Sequence, residues 1–484
     1  MKLKDLLQDV EIIELSADIE TEIGDISYDS RKTKKGDLFV AIRGFESDGH
    51  KFVGSAVSAG AAAIICEEKP TSEVPYALVH DSRQALSLVS RNYFGNPVSE
   101  MTLVGITGTN GKTTTTMLLK HVLEGCTGAK VGLIGTNQNM IGSLALPTER
   151  TTPESYELQG LFRQMADEGC KYVIMEVSSH SLVLKRVFGI RFDVAVFTNL
   201  TQDHLDFHKT MEEYAGAKAQ LFENCSKAAV NIDDEWGGYM LQRAKCPVFT
   251  YSELKLEADL VAKDIRFSPT NVKFCALAMN SLERVSLEIP GKFSVYNAMS
   301  VISAGLLLGL PLNEICEALK TAKGVKGRVE VVPTPEDYTI LIDYAHTPDA
   351  LENVIKSMKE VASGRVVVLF GCGGDRDKTK RPIMGEIATT LADYAIITSD
   401  NPRTEVPADI IEDILSGVKV PKNRYKVIEN RIEAIAYAID SHMEGDVIIL
   451  AGKGHETYQI IGKTKHHMDE REIVAEHLES LNKA

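Results

Sequence analysis

At 484 residues the chain exceeds what one hydrophobic core supports and predicts about three domains, and its 44% hydrophobic and 25% charged content is that of an ordinary soluble globular protein. Its 53 basic against 68 acidic residues leave −15 at pH 7, which argues against nucleic acid as a partner. Anionic ligands must be drawn locally, by backbone N–H groups, a few Arg and Lys, and Mg²⁺. No run approaches the roughly 18 apolar residues of a membrane span, Met1-Lys2-Leu3-Lys4-Asp5 holds no apolar signal core, and eight cysteines without a C-x-x-C pair suggest neither zinc nor a disulfide framework. A reducing, cytoplasmic setting without membrane insertion is therefore expected.

Residues 1–98 read as a small α/β unit, with strands near 37–42 and 61–66, a helix near 83–93, and the breakers Gly95-Asn96-Pro97 at its end. From Met101 onward near-continuous apolar strands (101–106, 131–135, 172–177, 194–197 and 228–232) alternate with helices, which predicts a parallel sheet covered on both faces. A second breaker stretch at 324–335, with Gly327 and Pro333, precedes another alternating series with strands at 338–343, 365–370, 394–398 and 446–450. This predicts a further doubly wound domain.

The first of the apolar strands runs into Thr107-Gly108-Thr109-Asn110-Gly111-Lys112-Thr113-Thr114. A glycine-rich turn between a buried strand and a helix start leaves backbone N–H groups to cradle phosphate, with Lys112 as a point charge and the Thr113 hydroxyl for Mg²⁺. Ile106 stands where the standard phosphate loop has its first glycine, so the loop is the shorter G-x-x-G-K-T kind. Glu176 stands at the carboxyl end of the strand at 172–177 with Ser178 just after it, and His204 follows the strand at 194–197, so all three fall at the carboxyl edge where open α/β sheets bind ligands. Glu176 either holds Mg²⁺ or caps the next helix, and His204 is either structural or a ligand.

A helix at 211–223 carries an anomaly: at about 100° per residue Tyr214, Leu221 and Phe222 form one apolar stripe with Lys218 in its middle. An ammonium there must snorkel, be paired or be chemically altered. In the last domain the strand at 365–370 enters Gly371-Cys372-Gly373-Gly374-Asp375-Arg376, which lacks the final glycine of a dinucleotide fingerprint and disfavours a dehydrogenase. Successive strand ends present Arg376, Arg403 and Glu456. Two guanidinium forks with acidic partners either bind a zwitterionic ligand with carboxylates or form an interdomain salt-bridge cluster.

Taken in order, T-G-T-N-G-K-T at 107–113, E-V-S-S-H at 176–180, N-L-T-x-D-H-L-D-F-H at 199–208, Y-x-x-x-K at 214–218, D-Y-A-H-T-P-D at 343–349, D-N-P-R at 400–403 and G-K-G-H-E at 452–456 resemble the Mur ligase family of ATP-dependent acid–amino-acid ligases, over essentially the whole chain. The resemblance implies an α/β protein of three domains: a small UDP-binding domain (1–98), a central parallel-sheet ATPase domain with the phosphate loop (99–328) and a Rossmann-like domain for the amino acid (329–484). It also implies ATP and two Mg²⁺ ions, with a UDP-N-acetylmuramoyl dipeptide and meso-diaminopimelate as the other partners.

Under that resemblance Ser30, Thr151, Thr152, Ser178 and Arg186 meet the UDP-substrate. Gly108, Thr109, Asn110, Gly111, Lys112, Thr113 and Thr114 hold the phosphates of ATP, with Asn297, Arg328 and Asp343 on its adenine and ribose side. Thr113 and Glu176 hold one ion, His204 and a carbamylated Lys218 the other. Arg376, Asp400, Asn401, Pro402, Arg403, Gly452 and Glu456 receive the amino acid. The implied chemistry passes through an acyl phosphate, with Lys112, Glu176, His204 and Lys218 as its catalytic groups. Val406 and Ser294 depart from the family pattern, where an acid and an asparagine are usual. The alternatives are lysine as the amino acid, a folylpolyglutamate synthase-like or dipeptide-adding sister ligase, which would lack D-N-P-R with G-K-G-H-E, and a non-catalytic nucleotide switch, which would need neither the Lys218 helix nor the third-domain arginines.

Overall fold

The computed structural model describes residues 1–44, 47–71, 73–148, 150–334 and 338–481, so Pro335 of the second breaker stretch lies outside the described residues. The chain divides into two compact bodies, one of Met1–Tyr251 with Ser303–Gly309 and the other of Ser252–Ile302 with Leu310–Ala484.

The first body begins with a five-stranded sheet in the order Ile12–Leu15, Tyr76–Val79, Ala63–Cys66, Leu38–Val40, Ile26–Ser27, parallel except for its first strand. The helix Ser82–Tyr93 buries Ala85, Leu86 and Val89 with the side chains of these strands, and Asp81 caps it by accepting from the backbone N–H groups of Arg83 and Gln84. The strands at 37–42 and 61–66 and the helix at 83–93 thus appear within a few residues of expectation. Ile12–Leu15, Ile26–Ser27 and Tyr76–Val79 were not legible. In Ile12–Leu15 the apolar Ile13 and Leu15 are the exposed residues, the reverse of what a hydrophobic pattern predicts.

Next comes the expected parallel sheet, ordered Val248–Ser252, Cys225–Asn231, Phe192–Phe197, Thr102–Thr107, Tyr172–Glu176, Val131–Ile134, with antiparallel Asn139–Ile141 and Leu144–Leu146 added at one edge. Register aligns Glu176 with Ile106 and Phe197 with Thr107, so three strands deliver their carboxyl ends side by side. Within the central strand Gly105 is a packing requirement: a Cβ there would stand 2.7 Å from the Phe192 ring and 3.2 Å from Leu221 of the helix Met211–Glu223. That helix is capped by Thr210, whose hydroxyl accepts from the backbone of Glu213, and it buries Tyr214, Leu221 and Phe222 as its apolar stripe requires.

The second body opens with an antiparallel meander, Leu260–Phe267, Val272–Ala278 and Ser281–Leu287, which the expectation of an all-parallel central domain omitted. Its larger sheet runs Glu330–Val332, Thr339–Asp343, Val447–Ala451, Val366–Phe370, Tyr394–Ile397, Tyr425–Val427, parallel apart from the first strand. Alternate residues bury on opposite faces. Leu341, Val366, Val368 and Ile449 pack with Leu351, Ile355 and Met384, whereas Ile340, Val367, Leu369 and Ile448 pack with Ala434, Ile435 and Val474. That is the doubly wound arrangement the alternating pattern predicted. No described helix is long and apolar enough to cross a membrane.

Between the helices Arg431–Asp440 and Glu470–Leu481 lies a buried ion pair. Arg431 Nε donates to Glu470 Oε1 at 2.8 Å, and neither side chain is more than 1% exposed. Removing one partner strands a charge, whereas replacing both removes the desolvation cost as well. Glu470→Ala is expected to lower stability by about 3–5 kcal/mol, and Arg431→Met with Glu470→Leu by much less. Calorimetry of the three variants checks this, and equal losses for the single and double variants would contradict it.

Candidate active site

The strand Thr102–Thr107 ends in a turn that only glycine permits. At Gly108 φ is +155° and a Cβ would overlap Thr198 Oγ1 at 1.9 Å, while Gly111, at φ +84°, opens the helix Lys112–Thr127. The segment after the neighbouring strand clamps this loop: Thr198 Oγ1 donates to Asn110 O at 2.7 Å, Asn110 N to Asn199 Oδ1 at 2.9 Å, and Thr201 N to Thr109 Oγ1 at 3.0 Å. Lys112 Nζ folds over the turn and donates to the carbonyls of Gly108 and Thr109, each at 2.9 Å. Thr113 and Thr114 are buried in the first helical turn. A loop of fixed shape at a helix N-terminus, carrying an ammonium, has the geometry and charge to cradle phosphate.

Lys218 reaches the same turn from the helix Met211–Glu223. Its Nζ donates to Gly108 O at 2.8 Å and lies 4.6 Å from the centre of the Tyr214 ring, with the residue 1% exposed. Snorkelling is thereby excluded. Burial, with the Lys112 ammonium adding to it, pushes the Lys218 amine well below its ordinary range.

Glu176 is equally buried, and the alternative that it caps the following helix is also overturned. Ser178 is that cap, accepting from Ser181 N at 3.2 Å, while the Glu176 carboxylate takes Thr136 N at 2.8 Å and Thr136 Oγ1 at 3.0 Å. Thr136 was absent from the sequence reading. His204 sits at φ +54° with its side chain half exposed and its ring edge-on to His180, centroids 4.9 Å apart. Among the described residues no three His, Cys, Asp or Glu side chains gather into a metal site. The hydroxyl of Thr113 and the carboxylate of Glu176 still suit Mg²⁺, which keeps waters and takes one or two carboxylates together with substrate phosphates.

Thr151, Thr152, Ser178 and Arg186 converge beside this edge. Thr152 Oγ1 donates to Glu176 O at 2.8 Å and lies 3.4 Å from Ser178 Oγ, Thr151 Oγ1 meets Thr136 Oγ1 at 3.0 Å, and Arg186 donates to Thr152 O at 3.1 Å. A feature the sequence did not disclose is the buried Glu154, ringed by Arg83, Arg186 and Arg150 at 3.4, 3.3 and 3.8 Å. Three guanidinium groups about one carboxylate leave positive charge for an anion. Next to them a cavity of about 750 Å³ is lined by Tyr28, Asp29, Lys32, Arg150, Glu154 and Tyr156. Ser30 lies in the turn between lining residues but is not itself part of the wall.

In the second body Asp343 is buried and accepts from Val329 N and Ala345 N at 2.7 and 2.8 Å, and burial raises its pKa against the pull of Arg328. Arg328 lies over the Tyr344 ring, 4.9 Å from its centre, with its buried Nε unpartnered among the described residues. Asn297 is buried on the helix Lys292–Leu307, and Ser294, a departure from the family pattern, is satisfied by donating to Pro290 O.

Gly373 brings Arg403 and Arg376 together: a Cβ there would stand 2.9 Å from Arg403 Nη1 and 3.8 Å from Arg376 Cγ. Arg403, at φ +52°, donates to Gly374 O at 2.8 Å, and Arg376 is exposed and donates to Asp375 O. Among the described residues neither makes an ion pair, so the salt-bridge alternative finds no support there. Asp400, Asn401, Pro402 and Gly452 are buried, and Asn401 Nδ2 donates to Glu456 Oε2 at 2.8 Å. Val406, the other departure, is an exposed residue at the start of the helix Pro407–Leu415.

Two groups missed by the sequence reading hold these segments in place. For Lys453 the one signal in the sequence is its place as a lone cation just after the wholly apolar strand Val447–Ala451. The other, Arg381, is fully buried, donates to both oxygens of Glu405 at 3.0 and 2.9 Å, and holds Gly373 O at 3.2 Å.

The pattern of the Mur ligase family catalytic domain matches residues 22–93, that of the Mur ligase middle domain 106–305 and that of the Mur ligase glutamate ligase domain 327–454. The chain is 50% identical to the UDP-N-acetylmuramoyl-L-alanyl-D-glutamate–2,6-diaminopimelate ligase of Caldanaerobacter subterraneus subsp. tengcongensis, covering all of both chains, and 48% identical to that of Clostridium botulinum over 95% of this chain and 96% of the other. A solved structure of a ligase of the same name aligns over 100% of this chain and 99% of its own, with TM-score 0.76 and 31% identity. The folylpolyglutamate synthase of Mycobacterium tuberculosis shares the fold at 15% identity and TM-score 0.62, covering 76% of this chain and 92% of its own.

The Arg381 guanidinium and the Asp375 N–H hold the Glu405 carboxyl down to about 2, below its ordinary 4.5. A carboxyl depressed in the folded state stabilises it above its unfolded value and loses that contribution as pH falls through the folded one. The melting-temperature gap between wild type and Glu405→Gln is therefore expected to be constant near neutrality and to shrink from about pH 4.5 towards pH 2. Thermal melts across that range check it, and a gap that widens on acidification would contradict it.

Proposed function

The chain belongs to the Mur ligase family, and from that premise we propose that it is the ATP-dependent ligase that joins meso-diaminopimelate to the D-glutamate of UDP-N-acetylmuramoyl-L-alanyl-D-glutamate during cytoplasmic assembly of peptidoglycan precursors. The observation that carries the amino-acid assignment is the meeting of D-N-P-R and G-K-G-H-E: Arg403 beside Gly373 offers a fork for a distal carboxylate, and Glu456, tied to Asn401, offers a carboxylate for an ammonium. We take residues 1–98, 99–328 and 329–484 as its three domains.

In this reading the loop Gly108–Thr114 and Lys112 hold the triphosphate. The cavity at Tyr28 and Arg150, with Ser30 in the turn between two of its lining residues, takes the UDP-sugar, and Thr151, Thr152, Ser178 and Arg186 meet the same substrate. The D-glutamate side-chain carboxylate attacks the γ-phosphorus, the bond to ADP breaks and an acyl phosphate forms. The amine of the incoming amino acid then attacks the acyl carbon, phosphate leaves and the amine gives up a proton. The chain's own part is positioning and charge neutralisation, the usual source of rate in phosphoryl transfer. Thr113 and Glu176 would hold one Mg²⁺, and His204 and Lys218 a second, which would supply charge neutralisation at the phosphates.

Lys218 fits that role as a carbamate: its neutral amine adds to CO₂, a C–N bond forms and a proton leaves, turning a buried cation into an oxygen ligand. Burial, which favours the neutral amine, supports this. Lys218→Ala is expected to lose nearly all ligase activity, and acetate or formate to restore part of it by occupying the vacated space. Near-normal turnover without additive would remove the ligand role.

Phosphate release with the UDP-muramoyl dipeptide, ATP and either diaminopimelate or lysine tests the reading as a whole. Arg403→Ala should weaken diaminopimelate selectively, by about 2–5 kcal/mol in kcat/KM, and Arg403→Lys should rescue poorly because an ammonium lacks the two-point geometry. A wild-type preference for lysine, or a diaminopimelate-to-lysine ratio unchanged by the substitution, would sink the assignment.

A further inference from the structure

Resting on the reading above, one buried cation still lacks a role. Lys453 is 0% exposed, yet its Nζ is surrounded by polar atoms from two strand ends: Glu456 Oε2 at 3.0 Å, Asn401 Oδ1 at 3.0 Å and Asp400 Oδ1 at 3.4 Å. Asp400 and Glu456 are themselves mostly buried, their side chains 8% and 16% exposed. Two carboxylates facing one ammonium leave one negative charge uncompensated, which an incoming ammonium can neutralise.

The hydrogen bonds show where that charge is presented. Glu456 Oε2 is shared by Lys453 Nζ and Asn401 Nδ2, while among the described residues Oε1 accepts no hydrogen bond. The Asn401 amide is fixed in turn, because its Oδ1 accepts from both Lys453 and Ile460 N, the latter at 2.8 Å. Gln459 donates to Asp400 O, and Arg403 N donates to Ile460 O. The hairpin Tyr458–Ile461 and Thr464–His467, the D-N-P-R segment and Glu456 are therefore locked to one another around a single lysine.

We propose that Lys453 is a positioning residue for the amino-acid substrate: by holding Glu456 through Oε2 it reserves Oε1 for the distal ammonium of a diamino dicarboxylate, and so sets the preference for an amino group at the far end. Arg403 reads the distal carboxylate, Glu456 the distal ammonium, and Lys453 touches neither. Without Lys453 the Glu456 side chain keeps only the Asn401 amide of its two anchors, that amide loses one of the two donors that fix it, and Asp400 loses its counter-charge, so the amino end should be read poorly while the carboxylate end is still read well.

The probes are meso-diaminopimelate and 2-aminopimelate, which keeps both carboxylates and the reacting amine but lacks the distal amine. Wild type is expected to prefer diaminopimelate by at least about a hundredfold in kcat/KM. Lys453→Met should cut that ratio by roughly tenfold or more while KM for ATP and for the UDP-dipeptide stays within about twofold, and Lys453→Arg should recover most of the ratio. A purely structural role would lower rates with both probes alike and leave the ratio unchanged. A folded Lys453→Met that keeps the wild-type ratio overturns the proposal, and should that variant not fold, Lys453→Gln is read by the same criterion. A wild type that ligates diaminopimelate without discriminating against 2-aminopimelate also overturns it. A wild type that ligates lysine and not diaminopimelate overturns the functional reading beneath it, which the same assay reports separately.

Discussion

Two ammonium-bearing side chains meet at one backbone oxygen. The carbonyl of Gly108 accepts from Lys112 at 2.9 Å and from Lys218 at 2.8 Å, the first from the helix that the loop begins and the second from a helix about a hundred residues further on. Like charges at this separation repel, and the second lysine is dry, so the arrangement is tolerable only if one of them gives up its charge or an anion arrives between them. Either outcome is what a phosphate-handling site requires. The glycine that supplies the oxygen, the threonine at 198 that forbids any side chain there, and the apolar stripe that aims Lys218 all serve this one convergence.

The second body solves an analogous problem with opposite sign. Around Lys453 carboxylates outnumber cations, whereas Arg403 and Arg376 stand beside Gly373 without acidic partners among the described residues. The guanidinium groups beside Gly373 and the surplus carboxylates around Lys453 thus form two separate clusters, a separation of charge within one body. Arg381 and Glu405 sustain it from behind by fixing Gly373 O and Asp375 N.

The parallel cores were legible because their strands are near-continuous apolar runs, and the phosphate loop because glycine spacing is dictated by backbone sterics. Lys218 stood out as a charge inside an apolar stripe. Less visible was whatever depends on a partner distant in sequence. Thr136 becomes the keeper of Glu176 only once two strands are paired, and Glu154 draws Arg83 across 71 residues. The meander at 260–287 was missed because its strands carry charged residues such as Lys273, Arg266 and Arg284 on an outward face, a weaker signal than a fully buried strand. Lys453 stood in a motif whose other members drew attention first, and its meaning lies in three acceptors that no spacing announces.

Gly105 lies one layer beneath this chemistry and touches none of it. Because it has no Cβ, the Phe192 ring and Leu221 settle to 2.7 and 3.2 Å from where one would stand, and the helix bearing Lys218 rides at the corresponding height above the sheet. The missing methyl group therefore acts as a gauge: the thickness of an oily layer decides how far a lysine tip protrudes past a carbonyl. A side chain added in the middle of a strand would be felt as a change in what the amine can bind, and the reactivity of this edge is in that sense set from inside the sheet.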